Sequence, residues 1–219
     1  MASASSPPTL PVVETFHSLQ GEGIHAGRGA FFLRLAGCEV GCPWCDTKHS
    51  WSEATHPRLT LDELARQATL ARKNGAAFVV VTGGEPLQHN LGPLCAALSA
   101  SGLPLHLETS GVPPLSGRFD WITLSPKRHR PPDEGPLAAC DELKVVVERP
   151  DDLPFAEAMA SRALALRQAK TPGESPPAPA LLLQPAWGDP EGQRLAIDHV
   201  RSHPTWRLSL QSHKWLGVR

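Results

Sequence analysis

Three cysteines fall within eight residues, Cys38, Cys42 and Cys45, in the segment Ala-Gly-Cys-Glu-Val-Gly-Cys-Pro-Trp-Cys-Asp-Thr. The chain has five cysteines in all, so a Gly/Pro-punctuated loop holding three of them reads as a ligand set rather than an accident. Three thiolates on a short loop can bind a metal cluster together, and they leave a four-site cluster with one open corner. An open coordination position is where a metal centre does chemistry. The triplet therefore predicts a reactive metal site.

Such a loop needs elements to hold it. Apolar stretches at 31–35, 78–81, 105–108, 121–124, 143–147, 181–184 and 206–210 read as strands, preceded by a short extended segment at 12–16. Helical stretches lie between many of them, at about 61–74, 91–100, 153–167 and 190–202. Thr60 with Glu63 three positions on forms a capping box that opens the first helix. Continuous apolar strands alternating with helices predict an α/β fold with a parallel sheet covered by helices. About six strands are too few for a full eight-stranded barrel. Compact polar segments follow five of the strands: the cysteine loop, 82–86, 108–111, 125–127 and Gln184-Pro185. Loops at the carboxyl ends of parallel strands converge, so these five describe one site.

Composition narrows the classes. The chain has 219 residues, with 21 Lys+Arg against 22 Asp+Glu and a formal net charge of −1. That balance supplies no general attraction to nucleic acid or membrane, and no run approaches the roughly 18 apolar residues of a membrane span. Residues 1–11 carry neither the basic start nor the apolar core of a signal peptide and read as a flexible arm before a single domain at 12–219. Unevenly clustered cysteines do not make a disulfide framework, which predicts a reducing, cytoplasmic setting. The Pro-rich stretch 168–179 reads as a loose connection.

The Cys-x3-Cys-x2-Cys spacing, with aromatic Trp44 before its last cysteine, resembles the cluster motif of the radical S-adenosylmethionine enzymes. Gly83-Gly84-Glu85-Pro86, directly after a buried strand, is similar to their nucleotide motif. Further segments resemble the 7-carboxy-7-deazaguanine synthases of queuosine biosynthesis: Ser18-Leu19-Gln20-Gly21-Glu22-Gly23, Cys45-Asp46-Thr47, Leu124-Ser125-Pro126-Lys127, Leu183-Gln184-Pro185 and Leu210-Gln211-Ser212-His213-Lys214. The resemblance spans most of the chain from about residue 13. It departs in the Pro-rich insert at 171–179 and at Ser212, where the family often has Thr.

The resemblance implies a partial parallel (β/α)6-type barrel with shortened or missing helices. It also implies conversion of 6-carboxy-5,6,7,8-tetrahydropterin to 7-carboxy-7-deazaguanine with release of ammonia. The implied cofactors are a [4Fe–4S] cluster on Cys38, Cys42 and Cys45, S-adenosylmethionine, and Mg²⁺ on Thr47. By position, Leu19, Gln20, Gly21, Arg34, Thr82, Glu108 and His213 would meet the substrate. Trp44, Cys45, Asp46, Gly84, Glu85, Ser125, Pro126, Lys127, Gln184, Pro185, Ala186 and Trp187 would meet the nucleotide. Glu85 is expected to accept from the methionine ammonium and Lys127 to pair with the methionine carboxylate. A homodimer and an electron donor such as flavodoxin or ferredoxin are implied as partners.

Blander readings remain for individual residues. Arg34 in mid-strand needs a partner, and a structural salt bridge would satisfy it. Zinc with His49 as fourth ligand is the alternative for the cysteines. Cys95 reads as a small core residue and Cys140 as a loop residue. An activating enzyme that makes a glycyl radical on a protein partner, and a zinc-stabilised binding module without turnover, are the rival functions. The Gln20–Gly23 segment and the Cys-Asp-Thr pairing weigh against the first; the polar loops have no role in the second.

Overall fold

The computed structural model describes residues 7–170 and 177–219 and is built on nine strands. They are β1 (Thr9–Leu19), β2 (Gly29–Leu35), β3 (Arg58–Thr60), β4 (Phe78–Gly83), β5 (Leu105–Thr109), β6 (Trp121–Leu124), β7 (Glu142–Val147), β8 (Ala180–Pro185) and β9 (Trp206–Leu208). The helices are α1 (Leu61–Lys73), α2 (Gly92–Leu98), α3 (Glu134–Ala139), α4 (Asp152–Lys170), α5 (Pro190–Ser202) and α6 (Ser212–Leu216). One sheet runs β3-β1-β2-β4-β5-β6-β7-β8-β9. From β2 to β9 every pairing is parallel, while β1 and β3 are antiparallel additions at one edge. Five helices alternate with the strands, α2 and α3 are only seven and six residues long, and β5 passes to β6 with no helix between them. This is the partial barrel with shortened and missing helices.

Period-two alternation divides the strands between two environments. Phe31, Leu33, Val79, Val81, Leu107, Leu124, Leu143, Val145 and Leu183 face the helices and pack with Leu64, Leu94, Leu98, Leu137, Met159 and Leu195 in one core. On the concave face, Ala30, Phe32, Phe78 and Val80 form a small second cluster. Beyond them the same face turns polar, with Arg34, Thr82, Glu108, Thr123, Lys144 and Gln184. The strands read as continuously apolar, yet β7 carries the buried Glu142 and Lys144.

Thr60 caps α1 as the sequence predicts, its Oγ1 accepting from the Glu63 N–H at 3.2 Å. Several boundaries need correction. The arm ends earlier than residue 11: Thr9, Leu10 and Pro11 pair with Thr60, Leu59 and Arg58, and Leu10 is buried. Residues 1–6 lie outside the described residues. The Pro-rich connection begins later than expected, since α4 continues to Lys170, and 171–176 are also outside the described residues. Cys140 lies in the connection between α3 and β7, as the sequence predicts. It caps the end of α3, fully buried, with Sγ donating to the Leu137 carbonyl, and burial pushes its pKa up to about 12. Cys95 sits in the core as predicted.

Candidate active site

A cavity of about 510 Å³ opens on the concave face at the carboxyl ends of the strands. Every residue that the sequence marks for the site lines it except Pro126, which is buried between Ser125 and Lys127. Five loops spread in sequence from Cys38 to Pro185 thus share one wall. A space of this size suits a small-molecule site.

The cysteine loop leaves β2 and is pinned at both ends. The Gly37 and Cys38 N–H groups donate to the carbonyls of Ser50 and Trp51 at 2.8 and 3.1 Å, and Cys45 N–H closes a turn onto Cys42 at 3.1 Å. All three thiols are free and line the cavity. Burial raises the pKa of Cys38 and Cys42, and the Lys127 ammonium partly offsets this at Cys42. Such thiols stay protonated until a metal takes the proton's place. Cys95 and Cys140 lie in the apolar core, and exposed His49 does not line the cavity. Among the described residues the donor set is therefore three thiols on one loop, which fits a [4Fe–4S] cluster with one corner left to another ligand. Trp44 stands partly exposed beside the loop, edge-on to His129.

The Gly-Gly-Glu-Pro turn packs directly against that loop. A Cβ on Gly84 would lie 2.4 Å from the Gly37 carbonyl oxygen and 2.7 Å from the Cys38 Cβ, and one on Gly83 would lie 2.2 Å from the Leu35 oxygen. Only glycine allows this approach. Glu85 is already engaged by protein donors. It is 1% exposed, and its Oε1 accepts from Leu87 N–H at 3.0 Å and Thr109 Oγ1 at 2.6 Å. Its Oε2 accepts from both the N–H and the hydroxyl of Ser110. A carboxylate has about four lone-pair positions, and here protein donors take all of them. Glu85 braces the ends of β4 and β5 rather than presenting a free acceptor to an ammonium.

Also lining the cavity, Glu108 accepts at Oε1 from Gln20 Nε2 at 2.8 Å and at Oε2 from Thr82 Oγ1 at 3.1 Å. Each oxygen keeps a lone pair for a ligand. Arg34 has found a protein partner: Nε donates to Glu14 Oε1 at 3.0 Å, and Arg219 holds the other Glu14 oxygen. Both guanidinium groups line the cavity. Thr47 Oγ1 lies 3.4 Å from Cys45 Sγ, while Asp46 pairs with Lys214 at 2.8 Å. Lys127 donates to Ser125 Oγ at 2.7 Å, and burial pushes its ammonium below the usual lysine range.

The Gln20–Gly23 and Gln211–His213 segments, distant in sequence, clasp each other. Ser212 donates from both N–H and Oγ to the Gly21 carbonyl at 2.9 Å, and the His213 ring covers Gly21 so closely that a Cβ would fall 2.2 Å from its Nδ1. Gln211 Nε2 donates to Glu22 Oε1 at 3.0 Å, and Glu22 Oε2 forms a close ion pair with Lys144. Burial alone would raise the Glu22 pKa, but Lys144 outweighs it and pulls the carboxyl down to about 2. The same pairing holds the Lys144 ammonium above the ordinary lysine range against its burial. Sequence reasoning missed this pair. The signal was available: Lys144 interrupts an apolar strand as Arg34 does, and a buried lysine requires a counter-charge. Below it, His106 stacks on Phe78 with centroids 4.1 Å apart, and burial pushes its pKa down to about 4.

The comparisons agree with this geometry. The Radical SAM superfamily model matches residues 33–124, from β2 through β6. The chain is 55% identical over 220 residues to the 7-carboxy-7-deazaguanine synthase of Prochlorococcus marinus, covering 95% of this chain and 98% of that one. It is 49% identical to the enzyme of the same name from Synechocystis, covering 96% and 94%. The crystal structure of QueE from Escherichia coli superposes with a TM-score of 0.74 at 32% identity, covering 94% of this chain and 95% of that one. No described helix is long and apolar enough to cross a membrane. With full-length likeness, a shared fold and the cysteine loop in place, the chain belongs to the 7-carboxy-7-deazaguanine synthase family of the radical S-adenosylmethionine superfamily.

Proposed function

We propose that this protein contracts the ring of 6-carboxy-5,6,7,8-tetrahydropterin to 7-carboxy-7-deazaguanine with release of ammonia, as a carbon–nitrogen lyase of queuosine and other 7-deazapurine biosynthesis. The observation that carries the reading is one cavity holding both the three-thiol loop and the Gln20–Glu108–Thr82 network. When bound, the cluster and S-adenosylmethionine would supply one-electron radical chemistry for hydrogen abstraction.

The chain's own residues bind, orient and shield. Cys38, Cys42 and Cys45 hold three irons. Gly84 lets the nucleotide-facing turn approach the cysteine loop, and Glu85 keeps that turn rigid. Lys127, beside Ser125, meets the methionine carboxylate, and the Gln184–Trp187 segment flanks the nucleotide. Glu108 accepts two side-by-side N–H groups from the guanidine-like edge of the pterin, a geometry suited to a carboxylate. Gln20 and Thr82 fix its two oxygens. Arg34 and His213 face the substrate carboxylate, and Glu14 limits the directions in which Arg34 can point. Thr47 would offer its hydroxyl to Mg²⁺, a cation that commonly takes few protein ligands. The homodimer, the small acidic electron donor of the flavodoxin or ferredoxin kind, and the cytoplasmic setting belong to this same reading.

The test is an anaerobic assay of the iron-reconstituted protein with the carboxy-tetrahydropterin, S-adenosylmethionine and a reductant, with and without Mg²⁺. Product with the mass of 7-carboxy-7-deazaguanine, formed faster with Mg²⁺, is expected. A cluster-loaded protein that cleaves the nucleotide but leaves the pterin unchanged would sink the substrate assignment.

A further inference from the structure

On the helix-covered side of the sheet, away from the cavity, three potential ligands meet across α4 and α5. Glu157 comes from α4, His199 from the last turn of α5, and His203 from the residue that caps α5. His199 and His203 are four residues apart and so lie on one helix face. Their ligand atoms and a Glu157 oxygen all lie within 4.8 Å of one another. None of the three lines the cavity.

The surrounding bonds orient this trio. His203 Nδ1 lies 3.0 Å from the His199 carbonyl oxygen. Ser202 Oγ lies equally near Nδ1, at 3.0 Å, and in the tautomer that donates Nδ1–H to the carbonyl the Nε2 lone pair is free for a metal. That arrangement is typical behind metal-binding imidazoles. Trp206 Nε1 donates to Glu157 Oε1 at 2.8 Å, fixing the carboxylate from β9. His199 Nε2 approaches the same oxygen at 2.8 Å, so the two share a proton that a cation can replace. The two imidazoles are stacked, with centroids 3.9 Å apart and planes within 7°. Side-chain rotations that close the trio from 4.8 Å toward the roughly 3.3 Å between ligands on a tetrahedral zinc suffice to make a common centre. His199 is shielded while Glu157 is half exposed and His203 exposed, so an ion can enter from solvent and water can complete its shell.

We propose that Glu157, His199 and His203 form a peripheral site for a borderline divalent transition metal, zinc in the first instance, which ties the end of α5 to α4. Two imidazoles and a carboxylate are the donor set that such ions prefer over magnesium or calcium. The site is separate from the cluster chemistry and does not depend on the proposed reaction.

The probe is zinc chloride titrated into tag-free, iron-reconstituted protein, with bound zinc counted per chain after dialysis. The wild type, His203→Ala and Glu157→Gln share the cysteine loop, so differences among them isolate the peripheral site. One zinc per chain in the wild type is expected, bound at least tenfold more weakly by each variant, with absorbance near 400 nm unchanged. Zinc should also raise the melting temperature of the wild type and not that of His203→Ala, because only a ligand that binds the folded state stabilises it. Equal zinc binding by the wild type and His203→Ala, or no zinc beyond the cysteine loop in the wild type, overturns the proposal.

Discussion

Gly84 and Cys38 touch: a methyl group on Gly84 would sit 2.7 Å from the Cys38 Cβ, closer than real carbon contacts come. The Gly-Gly-Glu-Pro turn and the cysteine loop are thus fitted closely to each other. Strand order explains the meeting. β2 and β4 are neighbours in parallel, in register from Ala30–Phe78 to Leu35–Gly83, so the loops that leave them emerge side by side.

Gly84→Ala should therefore separate the two loops while leaving the sheet intact. Overpacking of this kind costs about 1–3 kcal/mol. Iron retained after reconstitution should fall below that of the wild type, and affinity for S-adenosylmethionine should drop about tenfold, with far-UV circular dichroism unchanged. Iron analysis and calorimetric titration check this. Full iron and wild-type affinity would show that the loops tolerate separation.

Glu85→Gln distinguishes a brace from a ligand. Gln presents one acceptor and one donor group where Glu85 accepts from four protein donors, so N–H would face N–H or O–H at Thr109 or Ser110. Leaving buried donors unpaired costs about 1–3 kcal/mol each. Denaturant unfolding of the cofactor-free protein should show a loss of about 2–4 kcal/mol. A residue acting only as ligand would leave this stability unchanged and weaken nucleotide binding alone.

The Glu22–Lys144 pair predicts both a mutational and a pH effect. Removing one partner of a buried pair costs about 3–5 kcal/mol because the other charge stays buried, and Lys144→Met should lose that much at pH 7. Glu22 is held at about 2, below the roughly 4.3 of an unfolded glutamate. A depressed carboxylate adds stability above its unfolded pKa and loses it as pH falls toward its folded value. The wild type should accordingly lose this contribution between about pH 4.5 and pH 2. In Lys144→Met the burial of Glu22 is no longer offset, so that part of the acid-side loss should vanish. Chemical unfolding across this pH range in both proteins is the measurement, and parallel profiles would contradict it.

These two residues also mark the limit of what the sequence reveals. Apolar runs located the parallel strands to within a few residues, because buried strands must be apolar on the helix-facing side. The polar segments after those strands supply about half of the residues that line the cavity, because parallel topology brings strand ends together. Pairings that depend on length or shape were hidden. The eleven-residue β1 read as five extended residues, since its outer part is half exposed and lacks a clean alternation. The three-residue β3 and the short α3 and α6 carry too few residues for any period to show. That Thr109 and Ser110 reach Glu85 was hidden as well, because only the fold brings the end of β5 against the Gly-Gly-Glu-Pro turn.

Glu108 supplies the sharpest test of the substrate side. Gln20 and Thr82 each take one lone pair on its oxygens, and a pterin edge would take the two that remain. In Glu108→Gln the amide N–H₂ would face either the Gln20 amide or the Thr82 hydroxyl, and one of the two ligand-facing acceptors becomes a donor. Hydrogen bonds to a charged acceptor contribute about 1.5–3 kcal/mol, which corresponds to roughly 10- to 150-fold in kcat/KM for the pterin. Glu108 makes none of the hydrogen bonds that hold the cysteine loop, so iron content and the rate of substrate-free nucleotide cleavage should match the wild type. Loss confined to the pterin-dependent reaction identifies Glu108 as the pterin anchor. An equal loss in substrate-free cleavage would instead make it a brace for the whole cavity, as Glu85 is for its loop.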